Sequence, residues 1–422
     1  MKVIYIFFVR HCYTSDNEKF QFYAFRDKGW NLEVWSTVNW VCPCPEPDRI
    51  EKESFVHYIN SKRDLLDNFD RIKGEACYFL LYPYFPHAEG FLTEKILKKL
   101  GYNYSVIFMS QCMYPSSHRI KLTYSYVYCL HRLFYLFFSK FFHVLIGVIL
   151  KRNELKQRFS SLGNFFLSVI YSIKYKADYN FVPTSLSFFE FLNPFEVKSK
   201  RNILIHANSY DEYLGVKQNV NISNNYVVFI DDYMPGHSDF VKMKWNFPVS
   251  DSTDYYNKIN KLFLKIENDL NCEIIIAAHP KAEYSGGEFN GRKIYFDKTP
   301  ELVKNCVFSI TEGPTTVFGL ICLFKKPFLN ILDEIWFENL PVLRNDFFEI
   351  PQEFGKMQKS LDISDVSQIN RYNDYLFYDE KVYEKYLNRY VVQNSSIYGG
   401  KLFYEVVESF VSRKMECLNI QS

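Results

Sequence analysis

Short apolar runs separated by amphipathic stretches recur twice along this chain, and that alternation restricts its fold most. In the first third, "KVIYIFF", "LEVWSTV", "ACYFLLYP" and "YSVIFMS" read as strands. "NEKFQFYAFRDKG", "ESFVHYINSKRDLLDNFDRI" and "TEKILKKLG" read as the helices between them. After residue 200 the pattern restarts with strands "NILIHA", "YVVFIDD", "EIIIAAHP", "KIYF", "VFSIT" and "PFLNIL". Helices are expected over Asp254–Leu270, Thr299–Cys306 and Thr315–Lys326, and two more between Asp379 and Lys414. Apolar strands alternating with helices of ~10–15 residues imply parallel sheets covered on both faces. The expected class is therefore α/β, with two doubly wound, Rossmann-like domains in series.

At 422 residues the chain is long enough for two domains of ~200. The division expected is 1–197, 198–390 and a closing helical segment 391–422 that returns towards the first domain. Formal charge is +2, which disfavours a nucleic-acid partner. Most of the ten cysteines lie in apolar runs, and no Cys/His spacing offers four zinc ligands. A reducing cytosol and no bound metal are the expectations. The opening "MKVIYIFFVRHCYTSD" lacks a small-residue cleavage site and reads as a buried strand rather than a signal peptide.

Residues 118–176 differ in character. They hold ten Lys or Arg and a single acid, Glu154, among many aromatics. The apolar run 133–150 is interrupted by Lys140, short of the ~20 apolar residues of a span. It reads either as buried helices or as a helix on an anionic membrane surface. Peripheral membrane binding is the expectation carried forward.

Ligands in doubly wound sheets bind beyond the carboxyl ends of the strands. Four such ends are polar: His206-Ala207-Asn208, Asp231-Asp232, His279-Pro280 and Thr311-Glu312-Gly313-Pro314-Thr315-Thr316. All four are expected on one edge of the second sheet. Pro280 pushes His279 towards extended geometry, so its imidazole projects in a fixed direction. A bond to a nearby carbonyl is the plainer reading of such a histidine. Gly313 permits close backbone approach, and a helix opening at Thr315 and Thr316 aims free N–H groups outward, which suits a phosphate. Simple capping is the alternative role for both threonines. Lys281, Tyr284 and Arg292 are candidates to neutralise phosphate, or else surface side chains. His206, Tyr210 and Asp211 line the site or, for Asp211, cap a helix. "GGEFNG" has neither P-loop nor dinucleotide spacing.

Together "AAHPKAEY", "F.GR", "T.ELVKNC" and "ITEGPTTVFGLICLFKKPFLNI" resemble the nucleotide-binding half of GT-B glycosyltransferases from bacterial surface-polysaccharide (O-antigen or capsule) clusters. The HP histidine followed by a hydroxyl-rich turn is similar to bacterial sialyltransferases and to glycerophosphotransferases of teichoic acid synthesis. The likeness runs over roughly 202–332. It implies a GT-B fold and a nucleotide-sugar donor as substrate, with no cofactor. His279, Thr315 and Thr316 would contact donor phosphate, and Glu312 would lie near ribose or sugar. CMP-linked sugars are slightly favoured; UDP, GDP and dTDP remain open. The sialyltransferase acid lies in the N-terminal domain, whereas Asp231-Asp232 falls in the second, so that role does not transfer by position. These two acids are instead candidates for donor binding, Asp232 also for catalysis.

No E-x7-E pair starts at Glu312, since Leu320 stands eight residues on, and no DxD follows a strand. Inversion without metal is thus expected. His11, with Asp16 to orient it, is a candidate general base, beside the reading of an ordinary loop histidine. Arg10 is a candidate for an anionic acceptor. The expected function is sugar transfer to a lipid-linked glycan, at the cytoplasmic face of a bacterial membrane. The alternatives are a nucleotide-sugar epimerase or polyol-phosphate transferase on the same scaffold, and an inactive, membrane-peripheral assembly protein.

Overall fold

The computed structural model describes residues 1–8, 11–14, 16–41, 50–82, 88–107, 177–182, 202–216, 225–236, 252–280, 282–313, 315–333, 350–356, 359–392 and 401–419. The basic aromatic stretch 118–176, Arg10 and Lys281 lie outside them. No helix among the described residues is long and apolar enough to cross a membrane.

The chain divides into two compact units. One comprises Met1–Met109, Ser117–Ile205 and Tyr404–Ser422, the other Ser110–Ser116 and His206–Phe403. The first holds seven parallel strands: β1 (Lys2–Phe7), β2 (Asn31–Ser36), β3 (Val56–Tyr58), β4 (Cys77–Tyr82), β5 (Asn103–Ile107), β6 (Asn180–Val182) and β7 (Asn202–Leu204). Their order is β3-β2-β1-β4-β5-β6-β7. β1 and β4 are buried along their whole length, because a central parallel strand is covered on both faces. Alternate residues serve opposite cores. Ile4, Ile6 and Phe8 pack with Trp35, Phe79 and Leu81. Tyr5 meets Phe20, Phe22 and Phe25 edge-on across the other face. The C-terminal helix Phe403–Asn419 belongs largely to this unit: Glu408 accepts from the Trp30 indole at 3.2 Å, and Phe410 lies 5.2 Å from Tyr179.

Six parallel strands form the second sheet: β8 (Tyr226–Ile230), β9 (Glu273–Ala277), β10 (Ile294–Tyr295), β11 (Ser309–Thr311), β12 (Phe328–Leu332) and β13 (Leu361–Asp362). Their order is β10-β9-β8-β11-β12-β13. Val227 and Phe229 face the helix Ser252–Leu270, while Tyr226, Val228 and Ile230 face Leu302, Phe318 and Tyr383. Both sheets thus follow the doubly wound order 3-2-1-4-5-6, which the first extends by a seventh strand and whose direction reverses between the first and fourth strands.

Several expectations need correction. β7 was read as opening the second domain; it pairs with β6 and closes the first sheet. Burial pattern marks a strand but does not choose its partner. The helix read over 53–72 contains β3, which pairs with β2, and becomes helical only at Lys62–Arg71 behind a Ser61 cap. Gln21, at φ 51°, splits the first expected helix into Asp16–Lys19 and Phe22–Asp27. The helix expected from Thr315 is regular only over Phe318–Leu323. The short strand β13 carries too few residues to announce itself.

Candidate functional site

The strand register assembles the site. Ala277, Ile230 and Thr311 are level across β9, β8 and β11. One residue further out stand Ala278, Asp231 and Glu312; one further still, His279, Asp232 and Gly313. Asp231 prolongs the ladder, its amide donating to Ala277 at 3.1 Å. The order of the second sheet reverses between β8 and β11, so Asp231, Asp232, Glu312 and Gly313 occupy its switch point.

The centre of the site is acidic. Asp231 and Glu312 are buried and Asp232 is half-buried. The Asp232 amide donates to Glu312 Oε2 at 3.1 Å, and the Tyr233 amide to Asp231 Oδ1 at 2.8 Å. The Tyr284 hydroxyl donates to Asp231 Oδ2. Burial, followed by the neighbouring carboxylates, pushes Glu312 well up. Burial and Asp231 push Asp232 up to about 7. Asp231 is also raised by burial, against the opposing bonds from Tyr284 and Tyr233. That shift favours the proton-bearing form of Glu312, the form that donates a hydrogen bond and repels an anion less. Among the described residues no group of three or more His, Cys, Asp or Glu side chains is arranged to hold a metal ion.

His279 is half-buried, and its carbonyl accepts the Ala282 amide at 2.9 Å; Pro280 is exposed. Its strand and that of Glu312 flank β8 on either side. His279 and Gly313 are thus two strands apart, roughly 10 Å at the backbone, on the same edge of one sheet.

The turn after β11 differs in detail from expectation. Thr311 is buried and donates to Asn330 Oδ1 at 2.7 Å, so it faces the sheet rather than a ligand. Gly313, at φ 134°, gives its amide to the same oxygen at 3.0 Å, so that N–H is not offered to phosphate. Thr315 is buried, and its hydroxyl accepts from Val317 at 3.4 Å, a capping role; Thr316 is exposed. The amides of Thr315 and Thr316 are not taken up by any hydrogen bond among the described residues. A small recess beside Glu312 is walled by Met234, Tyr255, Leu332, Asp333 and Ile363.

Other candidates lie elsewhere. The Arg292 guanidinium is committed to Glu267, at 2.8 and 2.6 Å, and to Asn260 at 2.7 Å, over the Phe263 ring. That removes it from phosphate binding. His206 follows β7 of the first sheet, not a strand of the second, and is buried with its ring 4.5 Å from Tyr210. Asp211 is buried and accepts the Phe403 amide at 2.8 Å, which is the capping alternative. His11 is buried in the segment after β1, with its ring 6.0 Å from Tyr58 at the end of β3. The Asp16 carboxylate accepts the Tyr13 amide at 2.8 Å.

Two residues of the site escaped sequence reasoning. Asn330 ties Thr311, Gly313 and Ser360 together; an asparagine inside the apolar "FLNIL" was its signal. Tyr233 was the other, in "DDYMPG".

Comparison with solved structures agrees with the topology. A S. aureus MnaA–UDP co-structure matches with TM-score 0.50 at 12% identity, covering 98% of this chain and 97% of that one. The fold is GT-B-like. The glycosyltransferase SnogD from Streptomyces nogalater matches at TM-score 0.47 and 8% identity, over 98% and 99% of the two chains. A UDP-GlcNAc 2-epimerase from Methanocaldococcus jannaschii matches at 0.45 and 12%, over 92% and 99%. No family model matches the chain, and no curated protein matches its sequence.

Proposed function

We propose that the chain is a glycosyltransferase that moves a sugar from a nucleotide donor to a lipid-linked glycan acceptor, with inversion and without a metal. Acidic groups at the switch point of the second sheet, with the hydroxyls of the turn after β11 and His279 after the flanking strand β9, carry this reading. Nucleotide ligands occupy that position in doubly wound sheets. The likeness to an MnaA–UDP co-structure makes a uridine nucleotide a natural first probe. The HP pattern adds CMP-linked sugars.

Transfer is a direct displacement. The acceptor oxygen attacks the anomeric carbon from the face opposite the phosphate, whose bond to that carbon breaks. His279 and the amides of Thr315 and Thr316 receive the charge developing on the departing phosphate. Glu312 and Asp231 hold donor hydroxyls. His11, buried beyond β1, is the candidate base for the acceptor proton. Surface-polysaccharide synthesis at the inner membrane face, with 118–176 on anionic lipid, is the setting this reading implies.

Incubation with UDP-, GDP-, CMP- and dTDP-sugars tests the reading. Free nucleotide formed only when glycan acceptor is present is the expected result. Epimerised nucleotide sugar formed without acceptor would assign the scaffold to an epimerase instead. A donor that delivers a polyol phosphate would assign it to that transfer. Absence of thermal stabilisation by every nucleotide would point to a non-catalytic protein.

A further inference from the structure

Two loops beside the second switch point are clasped together by tyrosines, and neither tyrosine is accounted for by strand or helix formation. Tyr233 follows Asp231-Asp232 directly and has φ 54°, a left-handed conformation that bulky residues rarely adopt. Its side chain lies over Gly236, where an added Cβ would meet the ring and hydroxyl at 2.3–2.5 Å, so a larger residue there would displace the Tyr233 side chain. The Tyr233 hydroxyl crosses to the other loop and donates to the Glu283 carbonyl at 3.0 Å. From that loop Tyr284 donates to Asp231 Oδ2 and meets the Tyr233 ring edge-on, with centroids 5.8 Å apart. Phe289 and Phe296 brace Tyr284 from behind, at 5.4 and 6.0 Å. The anchored loop is the one that begins at His279, whose carbonyl accepts the Ala282 amide.

We infer that Tyr284 and Tyr233 are positioning residues that fasten the His279 turn to Asp231 and thereby fix the imidazole beside the donor phosphate. The inference rests on the donor-site reading above. The clasp spans the turn that His279 opens. With it, the turn is held at both ends: by β9 on one side and by the end of β8 on the other. The groups facing Asp231 are Asp232 and Tyr233 on its own segment, Glu312 beyond β11, Tyr256 on the helix Ser252–Leu270, and Tyr284 and Glu288 from the loop. Tyr284 gives Asp231 a bond that favours the carboxylate; Tyr233 gives its hydroxyl to a carbonyl and leaves that charge untouched.

The two tyrosines are therefore separable by experiment. Tyr284→Phe should lower kcat about tenfold or more, as expected for loss of a hydrogen bond to a charged group, with donor KM within about twofold of wild type. It should also move the acid limb of the kcat/KM profile to higher pH, because Asp231 protonates more readily. Tyr233→Phe should lower kcat and leave the acid limb in place. Each variant should speed amide exchange in the 279–284 peptide while the β9 amides stay protected. Unchanged exchange in both variants, or Tyr284→Phe turning over at the wild-type rate with an unmoved acid limb, overturns the clasp. Failure of the wild-type chain to bind any nucleotide overturns the donor site and with it the purpose assigned to the clasp, a result distinguishable from failure of the clasp alone.

Discussion

At the scale of single residues, the acids at the end of β8 and β11 set the site's charge. Burial favours the protonated form of Asp232 and Glu312 in the folded chain, so both raise stability at low pH. That contribution is complete below the ordinary carboxylate range and is lost as pH rises, for Asp232 through about 7. Asp232→Asn and Glu312→Gln should therefore raise the melting temperature at pH 8 by ~2–4 °C each and change it little at pH 4. A scan at the two pH values checks this; equal shifts at both would contradict it. Glu33 works in the opposite direction. Burial pushes its pKa up, but Arg71, Trp35 and Lys2 outweigh that and hold it at about 2. Its stabilising contribution is present above the ordinary range and is lost as pH falls towards 2. The polar strand ends were legible in the sequence because each interrupts an apolar run. Their engagements were not. Thr311 and Gly313 spend their donors on Asn330, a residue some twenty positions away whose approach only the folded sheet reveals.

At the scale of elements, two contacts carry tests of packing. Gly319 lies against the helix Asn208–Gly215; an added Cβ would fall 2.2 Å from Ser209 Oγ and 2.8 Å from its Cβ. Gly319→Ala should cost ~1–3 kcal/mol by overpacking, measured by urea unfolding, and Ser209→Gly should recover much of it. Failure of that rescue would locate the cost elsewhere. Arg292 and Glu267 join the loop before β10 to the helix Ser252–Leu270. Arg292→Ala should destabilise by ~3 kcal/mol or more while leaving nucleotide affinity unchanged. Weaker nucleotide binding at full stability would return Arg292 to the donor site. Strands such as "EIIIAA" were plain from continuous apolar runs, which suit a strand covered on both faces. β7 was recognised as a strand but given to the wrong sheet, and β3 was absorbed into a helix. Three-residue edge strands leave periodicity little to act on, and their partners are chosen by tertiary packing.

At the scale of the whole molecule, two sheets of one strand order share a chain, each with its own switch point. The second presents Asp231, Asp232 and Glu312, with His279 on the flanking strand; in the first unit His11 is buried after β1, beside Tyr58 of β3. The two-sheet plan was readable from the repeated alternation of strand and helix. The acceptor was not, since nothing in the sequence pattern encodes a sugar linkage. If the second switch point is a donor site, nucleotide at 100 times its Kd should add about 2.7 kcal/mol of stability. His279→Ala should lower turnover roughly 10²–10³-fold, as for removal of one oxyanion donor, with a much smaller loss of stability. The central claim is the location of the nucleotide, and photolabelling with azido-substituted UDP and CMP, followed by peptide mapping, tests it most directly. The account predicts label on peptides spanning 231–236, 279–296 or 312–318, competed by unmodified nucleotide. Competable label confined to residues 1–107, or none on the second unit, would contradict it.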